Sequence, residues 1–153
     1  MMNKRLKQGS TFLLAVALTF PLLTLPGAKA ANAIDTDAEC SIQFDIGGNS
    51  SELLSASIPV NLYKVASVDV SGNYTATGTF AKLDLSSVSA DNLDTAAATW
   101  SERAAEAKKL LKDDTEPTTT VTLTQGRGTA TGLNTGLYLV DTPKVITPNY
   151  TYT

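Results

Sequence analysis

The segment that most constrains this chain is Gly132-Leu133-Asn134-Thr135-Gly136-Leu137-Tyr138-Leu139-Val140. Two glycines bracket a turn, and a β-forming run follows the second. The residues before it, Thr129 to Leu133, and after it, Leu137 to Thr142, read as strands. A chain with strands this short and turns this close folds by stacking sheets.

The same grammar runs through most of the chain. Cys40 to Ile46 alternates, with Ile42, Phe44 and Ile46 on one face, as a half-buried strand does. Gly47 to Ser51 reads as a loop. Ile58 to Val70 is the longest β-rich run, and Pro59 stands at its start, where a missing N–H does least harm. Ser71-Gly72-Asn73 signals a turn into Tyr74 to Phe80, so the two runs predict a hairpin. Thr118 to Leu123 predicts another strand, and a Gln125-Gly126-Arg127-Gly128 turn follows. Tyr150 to Thr153 reads as the opening of a last strand. An edge left unpaired by a missing strand would expose backbone donors and acceptors, so the natural chain is expected to continue past Thr153.

Between these strands the period changes once. Ala97, Trp100, Ala104, Ala107 and Leu111 step by three and four residues, which predicts a helix over about residues 94–112 with one apolar stripe. Asp94 or Thr95 can cap its start, Lys108, Lys109 and Lys112 suit its C-terminal dipole, and Asp113-Asp114 and Pro117 end it. Trp100 on that stripe is expected to pack on the sheets.

The N-terminus reads differently. Lys4, Arg5 and Lys7 precede an uncharged apolar run from Thr11 to Leu25, and Ala28-Lys29-Ala30 follows as a small-x-small cleavage site. The run falls short of the roughly 20 residues that span a bilayer. Residues 1–30 are therefore read as a secretory signal peptide outside the fold, cleaved after Ala30 or Ala33, and 31–153 as a single domain. Ala31 to Asp37 reads as a mobile polar lead.

All 15 acidic residues but only 8 basic ones lie in 31–153, a net charge of −7 that argues against nucleic acid or an anionic membrane as partners. Histidine is absent, which excludes Ser-His and Cys-His nucleophile pairs and histidine metal sites within this chain. No cofactor is implied. Cys40 is the sole cysteine, so no internal disulfide forms, and its expected role is a small buried hydrophobe. Cys40-Ser41-Ile42-Gln43 has the spacing of thioester motifs, but strand alternation sends Cys40 and Gln43 to opposite faces.

The Gly-Leu-x-x-Gly-Leu-Tyr-Leu-Val segment resembles the glycine–leucine–glycine–tyrosine hairpin of Gram-positive surface pilins, which are built from immunoglobulin-like domains of the collagen-adhesin B type. Val60-Asn61-Leu62-Tyr63-Lys64-Val65-Ala66 is similar to that family's Leu-Tyr-Lys-Val-Ala strand, and Gly126 to Leu133 to its glycine-led approach to the hairpin. With a helix before that approach, the arrangement most resembles the N-terminal domain of major pilin subunits. The resemblance implies a mainly β, immunoglobulin-like sandwich of about seven strands with one inserted helix. It also implies a structural or adhesive subunit of a surface pilus or wall-anchored fibre, a substrate of sortase rather than an enzyme. Its partners would be other pilin subunits, the cell wall and a host-surface ligand.

Many such domains carry an intramolecular isopeptide bond between a lysine and an asparagine or aspartate. That chemistry needs a buried neutral amine, an acceptor held against it and a protonated carboxyl to polarise the acceptor. The resemblance points to Lys64 as amine, Asn149 as acceptor and Asp141 as acid. Asp141 stands where related domains often show a glutamate, and a bond-free domain is the primary expectation. The rival class is a free secreted binding module for carbohydrate or protein, with a stacking platform drawn from Tyr63, Tyr74, Trp100, Tyr138, Tyr150 and Tyr152.

Overall fold

The longest uninterrupted β-former in the sequence becomes the spine of the molecule. In the computed structural model, which describes residues 13–17, 33–47, 51–90, 96–149 and 151–152, the strands in chain order are β1 (Leu13–Ala17), β2 (Glu39–Asp45), β3 (Ile58–Val68), β4 (Tyr74–Ala76), β5 (Thr119–Leu123), β6 (Arg127–Asn134), β7 (Gly136–Asp141), β8 (Val145–Ile146) and β9 (Thr151–Tyr152). Two α-helices accompany them, α1 (Ser51–Ser55) and α2 (Ala97–Leu110).

β3 pairs antiparallel with β7 along one edge. Along the other it pairs with β5 through Ile58–Leu62 and with β4 through Ala66–Val68. β1 adds to the free side of β7, which completes a five-stranded sheet. β2 and β6 form a second, two-stranded antiparallel sheet, and β8 and β9 a small hairpin. The fold is a mainly β sandwich, as the strand pattern predicts.

Three layers result. Cys40, Leu62, Ala130, Leu133 and Tyr138 fill the space between the two sheets, and Ile58, Val60 and Leu123 continue that core beneath α1. The opposite face of the large sheet carries Tyr63, Val65, Val68, Leu137 and Leu139. It is covered by Phe80, Leu83, Leu85, Val88 and Ala107, with Trp100 and Leu110 packed against them. β3 and β7 are thus buried on both faces, which is why their sequences read as near-continuous apolar runs. A register shift between Lys64 and Ala66 turns the chain so that both Val65 and Ala66 enter this second core.

The helix packs as its stripe predicts, with Ala104 and Ala107 fully buried. It begins at Ala97, later than expected, after Ala96, whose side chain offers no cap. Asp94 and Thr95 lie outside the described residues.

Five expectations are corrected. The Tyr74–Phe80 strand stops at Ala76, because Gly78 takes φ +55° and opens a single 3-10 turn that buries Phe80. The Gly47–Ser51 loop gives up its last residue, since α1 begins at Ser51, and residues 48–50 lie outside the described residues. The lead before β2 is docked rather than mobile: Ile34 is buried and its N–H donates to the Val70 carbonyl at 3.1 Å. Residues 13–17, read as lying outside the fold, form the edge strand β1. The fifth correction concerns the glycine-bracketed segment and defines the candidate site.

Candidate functional site

Gly132 to Val140 is not a hairpin. β6 pairs with β2 and β7 pairs with β3 and β1, so the turn at Thr135 carries the chain from one sheet to the other. The step into β6 is equally abrupt. Thr124 and Arg127 exchange backbone hydrogen bonds at 2.9 and 3.1 Å around Gln125 and Gly126, both with positive φ, as in a type I′ turn. A Cβ at Gly126 would lie 2.7 Å from Leu54 Cδ2.

The corner is held from three directions. The Tyr138 hydroxyl donates to the Asn134 carbonyl at 2.7 Å, four residues upstream, which is the tyrosine-corner arrangement of immunoglobulin-like sandwiches. The buried Thr135 hydroxyl sits 3.0 Å from the carbonyls of both Asp35 and Ala38 and 3.4 Å from Cys40 Sγ, so it ties the N-terminal lead and β2 to the turn. Gly136 then passes so close to β3 that a Cβ there would lie 2.6 Å from the Ala66 carbonyl oxygen and 3.0 Å from Lys64 Cε. Burial raises the Tyr138 phenol above its ordinary value, with the neighbouring Cys40 adding to the effect and the hydrogen bond to Asn134 opposing it.

Lys64, Asn149 and Asp141 are not brought together. In the β3–β7 ladder Asn61 faces Asp141 and Lys64 faces Tyr138, so Lys64 and Asp141 belong to opposite faces of the sheet. Asp141 instead accepts from the Lys108 ammonium of α2, a link between helix and sheet. The same carboxylate adds to the burial that pushes the Tyr63 phenol upward. Asn149 donates its amide to Glu52 of α1, whose other oxygen accepts from Thr147 at 2.8 Å. α1 leads directly into Ile58, and Lys64 is six residues further along β3, about 20 Å at 3.3 Å per residue.

The sequence marks Lys108 only as a cation suited to the helix C-terminus and does not single out Glu52. Lys108 stands four residues after Ala104 and one after Ala107, at the margin of the apolar stripe, and that position is a signal for a cation turned toward the sheet. Glu52 lies just past the Gly47–Ser51 loop, and nothing in its neighbourhood marks it.

Cys40 is buried while Gln43 of the same strand is exposed, as the alternation requires. Tyr63, Tyr74 and Tyr138 are buried, and Trp100 packs edge-on against Tyr74 with ring centroids 5.9 Å apart. Tyr150 lies outside the described residues. An open depression of about 650 Å³ lies between the Gly78–Lys82 turn and the end of α2, lined by Lys82, Lys112, Asp114 and Glu116 among others and by no aromatic ring. Among the described residues no helix is long and apolar enough to cross a membrane, and no group of three or more acidic, Cys or His side chains is placed to hold a metal. Comparison of the chain with protein-family models, with curated proteins and with solved structures finds no match.

Proposed function

We propose that this chain is a structural or adhesive subunit of a bacterial surface fibre, exported through its leader and joined by a sortase to other subunits and to the cell wall. The observation that supports this reading most is where the family-like residues sit. Val60 to Ala66 forms the spine of the large sheet, and Gly126 to Val140 builds the turn and corner that tie the two sheets. Most of their apolar side chains are spent inside the fold. Leu62, Val65, Ala66, Leu137 and Leu139 are fully buried and Tyr138 is 1% exposed, which suits a scaffold rather than a cleft that holds a substrate.

The buried aromatic set weighs against a stacking platform for carbohydrate, because four of the six rings named for it are packed within the fold. Cell-wall fractions of the source bacterium, boiled in detergent and probed with an antibody against residues 31–153, test the proposal. A ladder of high-mass species that collapses when the sortase is deleted is expected. A single soluble band in the culture medium would overturn the fibre reading in favour of a free secreted module.

A further inference from the structure

The large sheet is completed at one edge by a segment that the sequence marks for removal. Leu13–Ala17 runs antiparallel to β7 in continuous register, from Leu13 opposite Val140 to Ala17 opposite Gly136. β1 also lies against α2 on one side and β2 on the other. The edge of β7 is therefore the floor of a slot walled by the helix layer and by the small sheet.

That setting fixes what the slot takes. A strand in it runs beside both the helix layer and the small sheet, a setting that suits an apolar segment. Leu13-Leu14-Ala15-Val16-Ala17 has that composition, with no polar position. The floor itself, Gly136–Val140, carries no charged side chain. When the leader is cut away after Ala30 or Ala33, the outward backbone groups of β7 lose their hydrogen-bond partners and the slot loses its filling.

We propose that the outer edge of β7 is an acceptor site for an added strand. Leu13–Ala17 fills it in the full-length chain. Once the leader is gone, its ligand is an extended, uncharged, aliphatic peptide strand of at least five residues, antiparallel to β7. Main-chain hydrogen bonds supply the attachment and the slot walls supply the selectivity. This rests on the sheet geometry and holds whether or not the chain enters a fibre.

Amide hydrogen exchange on the full chain tests it. Adjacent amides of a strand point to opposite sides, so Leu14→Pro with Ala15→Pro removes at least one bond to β7. The outward amides of β7 should then exchange at least about tenfold faster while those of β3 stay protected, a local opening rather than global unfolding. A free peptide of residues 11–19 flanked by lysines should restore protection, and the same peptide carrying both prolines should not. Unchanged β7 exchange in the variant, or equal protection by both peptides, would overturn the proposal. So would self-association of the variant that protects β7, which would make a second copy the occupant. A second measurement does not depend on the proline variant folding. With Cys40→Ser, Leu14→Cys and Leu139→Cys should form a disulfide under mild oxidation, whereas Leu13→Cys with Leu139→Cys should not. Failure of the first pair, or equal bridging by both, would remove β1 from the edge of β7.

Discussion

Replacing Tyr138 by Phe takes away one hydroxyl and leaves the ring that packs against Cys40, Leu62, Ala130 and Leu133. The lost bond is the 2.7 Å contact to the Asn134 carbonyl. Asn134 is exposed, so water takes over part of that bond, and the cost is set near about 1 kcal/mol, the net worth of a neutral hydrogen bond. For a domain of this size that lowers Tm by roughly 3–5 °C. Tyr138→Ala also removes the buried ring and should cost about 3–5 kcal/mol. Urea titration of both variants separates the two parts, with midpoints falling in that order and an unchanged slope for Tyr138→Phe.

The pH dependence follows from the same residue. The folded phenol of Tyr138 titrates above its ordinary value of 10.0, so the native state keeps a proton that the unfolded state gives up. That contribution is fully present below pH 10 and is lost as pH rises from there through the folded value. Tyr138→Phe should therefore flatten the alkaline fall in stability, leaving the share due to Tyr63, which burial shifts the same way. A Tyr138→Phe variant as stable as the parent at neutral pH, with an unchanged alkaline slope, would refute the corner argument.

Other variants test other joints. Lys108→Met should destabilise by about 1–3 kcal/mol, because it leaves the largely buried Asp141 carboxylate without its cation, and the urea midpoint reads the loss. Gly136→Ala places a methyl 2.6 Å from the Ala66 carbonyl and should cost about 1–3 kcal/mol by overpacking, with the loss in Tm measured by calorimetry. Intact mass of the domain should equal the sequence mass. A species one ammonia lighter would show that an asparagine or glutamine amide has been lost, and peptide mapping would tell a branched crosslink from a cyclised side chain.

Much of the fold was legible because burial leaves its period in the sequence. β2, β5 and β6 alternate because one face of each strand is more covered than the other, and the stripe of α2 steps by three and four residues because one side meets the sheet. What was not legible depends on contacts between distant segments. Thr135 reads as a turn residue, yet its hydroxyl bonds carbonyls about a hundred positions earlier in the chain. The Gly-x-x-x-Gly bracket looks the same whether the chain returns within a sheet or crosses to another, and the crossing is decided by β2 and β3 claiming β6 and β7 separately. Lys64, Asp141 and Asn149 were linked by family pattern alone. The register places the first two on opposite faces, and Glu52 takes the third.

The most direct measurement is tandem mass spectrometry of wall material released by muramidase from the source organism. A fibre subunit should yield a branched peptide in which a segment of this polypeptide is amide-bonded to another copy or to a peptidoglycan stem. Only linear peptides, with the intact chain recovered free in the medium, would contradict the account.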